Sequence, residues 1–474
     1  MLINRVDMSS GRPGTAGQKW ILNPFRQRKK NRKNPFSGLY ALCAVAIAAS
    51  LLGPFAVIRA ARSREETAAK LESRAAGLES DLLLRDAADV YEQAYRKGGG
   101  KNPELLFRSA ACLRRLSDRR AAIDTLRRLI SDHGDYSPAY GELARYYAAG
   151  GDYAEAAEVI KEADSLGLGT AIDADVRDLV DYTVVKKILS ADAVGDWHTY
   201  AQGKACAVYY RSGKAGIILS DGSRPIEASF DGAGVYDRST GLCPVTLDGD
   251  AFFVNEKGER ALVLPEGTVE AGPFSEGLAF ISDGEKYRYV NTKGEPAGAA
   301  EYDYAGSFSH GIAAVCAGGK WGLIDAKMRS VTPLKYDYIL TDGNGFCSEY
   351  GIIAAKLGEE WLLIDESGGE IARGFEEAAL PASEDGYIAV KSGGLWGFCD
   401  RQGEIVIKPQ YEEAGSFCCG LAPVKSEAGW GYVDAAGTPR TGFVYEEAGV
   451  FSAGGSSAVR EGSFTFLLVI AKYE

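Results

Sequence analysis

From about residue 183 onward, apolar and polar positions alternate in short runs broken by Gly-rich turns, whereas residues 66–163 space their apolar positions at helical intervals. Alternation over a few residues predicts strands, and recurrence at three and four predicts amphipathic helices. The helical part carries a longer period as well. Ala110/Ala144, Leu106/Tyr140, Leu113/Tyr147, Ala122/Ala156, Leu126/Ile160 and Leu129/Ala163 all lie 34 residues apart. Small residues recur at a spacing of 12, as at Ala110/Ala122 and Ala144/Ala156, where two antiparallel helices must approach closely. A looser copy lies upstream at Leu71, Ala75, Leu78, Ala87, Tyr91 and Ala94. Gly150-Gly151-Asp152 predicts a turn between helices, and Gly98-Gly99-Gly100 a loop between units.

The β part repeats too. Aligned on a Lys-Trp-Gly slot, eight copies are centred on Ala215, Ala251, Tyr287, Trp321, Trp361, Trp396, Trp430 and Thr465, at spacings of 34 to 40. Each copy reads as three strands, the third leading to Tyr-Asp or Tyr-Glu (Tyr302-Asp303, Tyr336-Asp337, Tyr411-Glu412, Tyr445-Glu446), and a Phe-x-x-Gly follows at Phe274, Phe308 and Phe417. Asp325, Asp365, Asp400 and Asp434 stand four residues after the Trp, with Asn255 and Asn291 in the same slot. In five of these six copies a Gly follows three residues later. Asn replaces Asp freely here, which a metal ligand or general acid would not allow, so these side chains are expected to cap turns. The Trp residues are expected to pack between repeats. The last copy, 456–470, supplies two strands, and residues 183–194 read as an orphan third strand. If that strand completes the last copy, a ring closes and two edges disappear.

Residues 36–58 carry no charge and number 23, enough to cross a ~30 Å hydrocarbon core as a helix. A polar tail at 1–35 precedes them with Arg26, Arg28, Lys29, Lys30, Arg32 and Lys33. The positive-inside bias then predicts a single-pass cell-membrane protein with a cytoplasmic N-terminus and the bulk of the chain extracytoplasmic.

The 34-residue helical period resembles tetratricopeptide (TPR) repeats. The stretch Lys320-Trp321-Gly322, followed by an apolar run and Tyr336-Asp337, resembles the WG-repeat (KWG) family. The expected fold class is therefore α + β multidomain: a cytoplasmic tail (1–35), a transmembrane helix (36–58), a TPR-like α-solenoid (63–165) and a capping helix (166–182). An all-β WG-repeat domain (183–474) follows, a propeller-like toroid or, alternatively, an open β-solenoid.

A net charge of −12 argues against nucleic acid as the main partner. Nine Cys without CxxC pairs are not a disulfide scaffold, and adjacent Cys418-Cys419 would point to opposite faces of a strand. His133, His198 and His310 are scattered, no HExxH or GxSxG occurs, and no Gly-rich loop runs into Lys-Ser or Lys-Thr. No catalysis and no cofactor or metal is expected. The expectation is a scaffold for protein or peptide partners at the cell envelope. The TPR resemblance implies a concave groove holding Phe107, Arg114 and Arg145, a cationic site for an acidic peptide. The alternative is a cell-wall glycan-binding or glycan-active propeller, which needs exposed Trp and clustered carboxylates on one rim.

Overall fold

A computed structural model describes residues 37–473 apart from 202–203, 238, 349 and 385, with side chains described from residue 57 onward except at 199–204 and those positions. The basic tail expected at 1–35 lies outside the described residues.

The helical part begins with α1 (Ser37–Ser80), followed by α2 (Leu84–Lys97), α3 (Pro103–Arg115), α4 (Arg119–Asp132), α5 (Ser137–Gly150), α6 (Tyr153–Ser165) and α7 (Ala174–Tyr182). Three helix ends fall where the sequence supplies a cap. Asn102 accepts from the Glu104 N–H with Pro103 at the first turn, Asp118 accepts from the Ala121 N–H, and Gly151 ends α5 at φ +83°. Ala75/Ala87, Ala110/Ala122 and Ala144/Ala156 are all buried, so the small-residue spacing marks the close helix approaches in three successive hairpins. Two ion pairs recur with the same period: Arg85–Asp118 and Arg119–Asp152, both 2.6 Å.

The transmembrane helix expected at 36–58 is corrected. No helix among the described residues is long and apolar enough to cross a membrane. Residues 37–58 are instead the first turns of one 44-residue helix, α1, which runs on without a break through Arg59, Arg62, Arg64, Glu65 and Glu66. Its later turns pack against α2 as part of the helical core, with Ala75 fully buried.

The β part forms eight sheets among the described residues, arranged as an eight-bladed β-propeller. The eight aligned centres fall one in each blade. Blade four is typical: Tyr304–Ala305, Ile312–Ala317 and Lys320–Asp325, antiparallel throughout. In Ile312–Ala317, Ile312 and Ala314 face blade five while Ala313 and Val315 face blade three. Both faces of the strand are buried, which is why its run is almost wholly apolar. Eight inter-blade cores succeed one another around the ring. The eighth joins Leu467 and Val469 of the last blade to Ala207, Tyr209 and Ile218 of the first.

The ring therefore closes. Val184–Leu189 pairs along its whole length with Phe464–Ile470, from Val184 opposite Ile470 to Leu189 opposite Thr465. The open solenoid is excluded, because its terminal strands would keep free edges. A feature beyond the sequence reading is an inner strand of only two residues, such as Tyr304–Ala305, Glu377–Ala378, Glu413–Ala414 and Glu447–Ala448. The Ala recurs where blades converge on the axis and space is smallest. Two residues are too few to show an alternation, so periodicity could not reveal it.

The helices join the propeller at one seam. Tyr182 packs into the core between blades seven and eight, and Arg440 lies 4.1 Å over its ring. Arg440 also pairs with Asp178 at 3.1 Å, and Lys472 with Asp181 at 2.7 Å.

Candidate functional site

The repeat's own polar residues come first, because their partners decide what remains for binding. All six Asp/Asn side chains after the Trp slot cap their own turns. Asp325 Oδ1 accepts from the N–H groups of Lys327 and Arg329, both at 2.9 Å. Asp365, Asp400, Asp434, Asn255 and Asn291 repeat the pattern. The Gly three residues on has positive φ in five copies, and Met328 takes that conformation at φ +60° in the sixth. The Lys of Lys-Trp-Gly and the Asp of Tyr-Asp also belong together. Lys214–Asp231, Lys286–Asp303 and Lys320–Asp337 pair at 2.5 Å. The second oxygen of each Asp accepts a backbone N–H of the next hairpin turn, from Asp248, Gly318 and Gly358. Each Lys bond holds its Asp carboxyl below the usual carboxylate range. These carboxylates are blade-to-blade staples, spent on structure.

Trp321, Trp361, Trp396 and Trp430 are half-buried, each against an inter-blade core. Trp321 lies between Tyr304 and Tyr338, with ring centroids 4.8 and 5.0 Å away.

The helical groove differs from the free cationic surface expected. Arg114 and Arg145 do lie together, but both pair with Glu142, whose side chain is only 12% exposed, and Arg145 also pairs with Asp173. Phe107 packs edge-on against Tyr136 at 5.7 Å. Glu142 lies three residues before Arg145 and so shares its helix face, a partner the spacing could have shown. An open cleft in the helical part lies elsewhere. About 1220 Å³ in volume, it is lined by Arg127 and Ile130 of α4, Tyr147 of α5, Lys161 of α6, and Lys472 and Tyr473 beyond the last blade.

A second cavity, about 410 Å³, lies on the propeller axis. Leu340, Ala379, Gly415 and Gly449, each following a two-residue strand, line it together with Trp197 and His198 of blade one. A loop of blade five, between Ile339 and Ile352, reaches across this end. Its Asn344 Oδ1 accepts from the Val235 N–H of blade two at 2.9 Å, and the Ser307 N–H of blade four donates to the Gly345 carbonyl at 2.8 Å. Its Asp342 Oδ1 accepts from the Asn344 and Phe346 N–H groups, and Oδ2 sits 2.8 Å from His198 Nε2. Both side chains are nearly buried, and the His198 ring also packs on Phe346 at 5.1 Å. Sequence reading set His198 aside as scattered. The signal that could have found this loop is the 40-residue spacing from Trp321 to Trp361, the longest in the array.

The repeats resemble a known family. A family model described as WG containing repeat matches residues 270–287, 287–321, 321–361, 396–427 and 430–463. The matched segments lie in blades three to five and again in blades six to eight, with Asx turns at Asn291, Asp325, Asp400 and Asp434 and the Lys–Asp staple at Lys286 and Lys320. No curated protein matches the chain. Among solved structures, a streptogramin B lyase structure is 11% identical, with 60% of this chain and 97% of that one covered at a TM-score of 0.35. An AfRom2 CNH domain is 10% identical, with 52% and 97% covered at 0.29. At these TM-scores neither likeness carries an argument.

Proposed function

We propose that this chain is a non-catalytic scaffold that binds protein or peptide partners, its TPR-like hairpins and WG-repeat propeller held as one body. The observation that carries this reading is the cleft between α4, α6 and Lys472-Tyr473, where the two repeat parts meet. It presents tyrosine faces beside Arg127, Lys161, Glu155 and Glu158, and Arg127 already stacks over Tyr147 at 5.3 Å. Aromatic anchors with Arg beside them are what protein interfaces favour. The Phe107/Arg114/Arg145 groove is a weaker candidate, since its cations already have carboxylate partners. Glycan binding is weaker as well, since a sugar platform needs an open Trp face and these rings pack between blades.

One observation favours a second reading, a small ligand on the axis. The 410 Å³ cavity is within the ordinary range for ligand pockets and mixes apolar walls with the His198–Asp342 pair. The test uses the full chain, immobilised, with bound proteins identified after washing. Arg127→Glu with Lys161→Glu should lose partners that Arg114→Glu with Arg145→Glu retains. If both pairs, shown folded by thermal melting, capture the same set as the parent chain, the cleft reading fails and the axial cavity takes precedence.

A further inference from the structure

Phe417-Cys418-Cys419-Gly420 occupies a turn that recurs in the array. In three copies the residue before the Gly is left-handed although it is not glycine: Glu276 at φ +54°, His310 at +52° and Cys419 at +54°. The Gly that follows is left-handed too, at φ +82°, +81° and +80°. Two consecutive left-handed residues make the tight turn that matches strand twist. On an extended strand, adjacent side chains point to opposite faces. Here Cys418 pairs with Leu421 and the backbone reverses through Cys419 and Gly420, so Cys419 leaves the extended path, and the two sulfurs come to 3.9 Å, with the Cys418 thiol directed at the Cys419 sulfur.

The surroundings separate this pair from the other described cysteines. Cys112, Cys206, Cys243, Cys316, Cys347 and Cys399 are buried. Burial pushes the thiols of Cys112 up to about 11 and those of Cys347 and Cys399 up to about 12. Cys419 is partly exposed, and the hydrogen bond from Cys418 lowers its thiol to about 7, with Tyr473 and Lys472 adding to the effect. Its sulfur also lies 3.3 Å from the Ser452 carbonyl of blade eight.

We infer that Cys418 and Cys419 form a peroxide-reactive dithiol that closes reversibly to a vicinal disulfide at the seam of blades seven and eight. The Cys419 thiolate attacks the peroxide, breaking the O–O bond. Hydroxide leaves, and the sulfur becomes a sulfenic acid. The Cys418 thiol then attacks that sulfur, the S–S bond forms and water leaves. The two sulfurs give up two electrons in all, and the peroxide takes them. Adjacent Cα atoms stand ~3.8 Å apart, below the ~4.4–6.8 Å that ordinary disulfides span, so the bond is strained and readily reduced. That strain makes the step reversible by small thiols, unlike a structural disulfide.

The test treats the full chain with hydrogen peroxide, alkylates what remains with iodoacetamide, and maps peptides by mass spectrometry. The expected product is the 418–419 peptide lacking two hydrogens and bearing no alkyl group, restored by dithiothreitol. In Cys418→Ala, Cys419 should instead be trapped as a sulfenic acid by dimedone. In Cys419→Ala, Cys418 should stay reduced. Without peroxide, iodoacetamide at neutral pH should modify Cys419 at least tenfold faster than Cys316 or Cys399. A 418–419 peptide that stays reduced while other cysteines oxidise would overturn the inference, as would equal alkylation rates.

Discussion

Asp434 shows what one carboxylate of the repeat holds together. It is 3% exposed, accepts from the Ala436 and Thr438 N–H groups, and pairs with Arg440 at 2.6 Å. Burial alone would raise its pKa, but these donors outweigh it and hold the carboxyl low. Asp434→Ala would leave two turn N–H groups without their acceptor and Arg440 with Asp178 as its remaining carboxylate partner. We expect a loss of about 2–4 kcal/mol by denaturant titration, and Asp400→Ala, lacking a paired arginine at this seam, should cost clearly less. Equal losses would show that Arg440 adds nothing. At Trp396 the ring is half-buried rather than enclosed, so Trp396→Ala should cost about 2 kcal/mol, below the ~3–5 of a fully buried large side chain. The turn role of Asp325, Asp365, Asp400 and Asp434 was legible because Asn fills the same slot and Gly follows. The pairing of Lys320 with Asp337 was not, although the residues recur together. Seventeen positions separate them, and only the ring brings a strand end beside the previous hairpin.

Among elements, the strand Val184–Leu189 has the largest effect for its length. It was legible as an orphan because blade eight, read from its own stretch, lacked an outer strand. Removing it should expose Phe464–Ile470 and unsettle the core formed by Leu467, Val469, Tyr209 and Ile218. Hydrogen exchange should then accelerate at 464–470 and at 205–218 together. Acceleration confined to 464–470 would mean that blades one and eight are held independently of the closing strand. The two-residue inner strands stayed hidden for a physical reason: a pair of residues has no period. The apolar run at 36–58 misled because length and hydropathy alone cannot tell where a helix ends, and α1 continues through nine charged residues.

Over the whole molecule, the staples set a response to acid. Asp231, Asp303 and Asp337 have folded pKa values below the ordinary carboxylate value of ~3.9, so the folded state binds fewer protons than the unfolded chain near that value. Their contribution is present above that pH and lost as pH falls through and below it. The melting temperature should be level from neutral pH to about 5 and then fall, and replacing all three with Asn should shrink the fall. Because these pairs are exposed, salt should blunt the same difference. A triple variant whose acid profile matches the parent would show that the staples carry none of the pH dependence.

Ring closure also sets a timetable. Lys186, in the closing strand, meets Glu461 across 275 residues of chain. At ~5–20 residues added per second, the strand waits roughly 15–55 s after synthesis before its partner exists. During that interval a nascent chain has seven blades at most and an unmatched strand beside its helices. A ribosome that stalls after blade seven would release a protein with two bare sheet edges, and such edges recruit other chains. For this molecule the codons for residues 464–470 decide whether the product is a closed ring or a seed for aggregation.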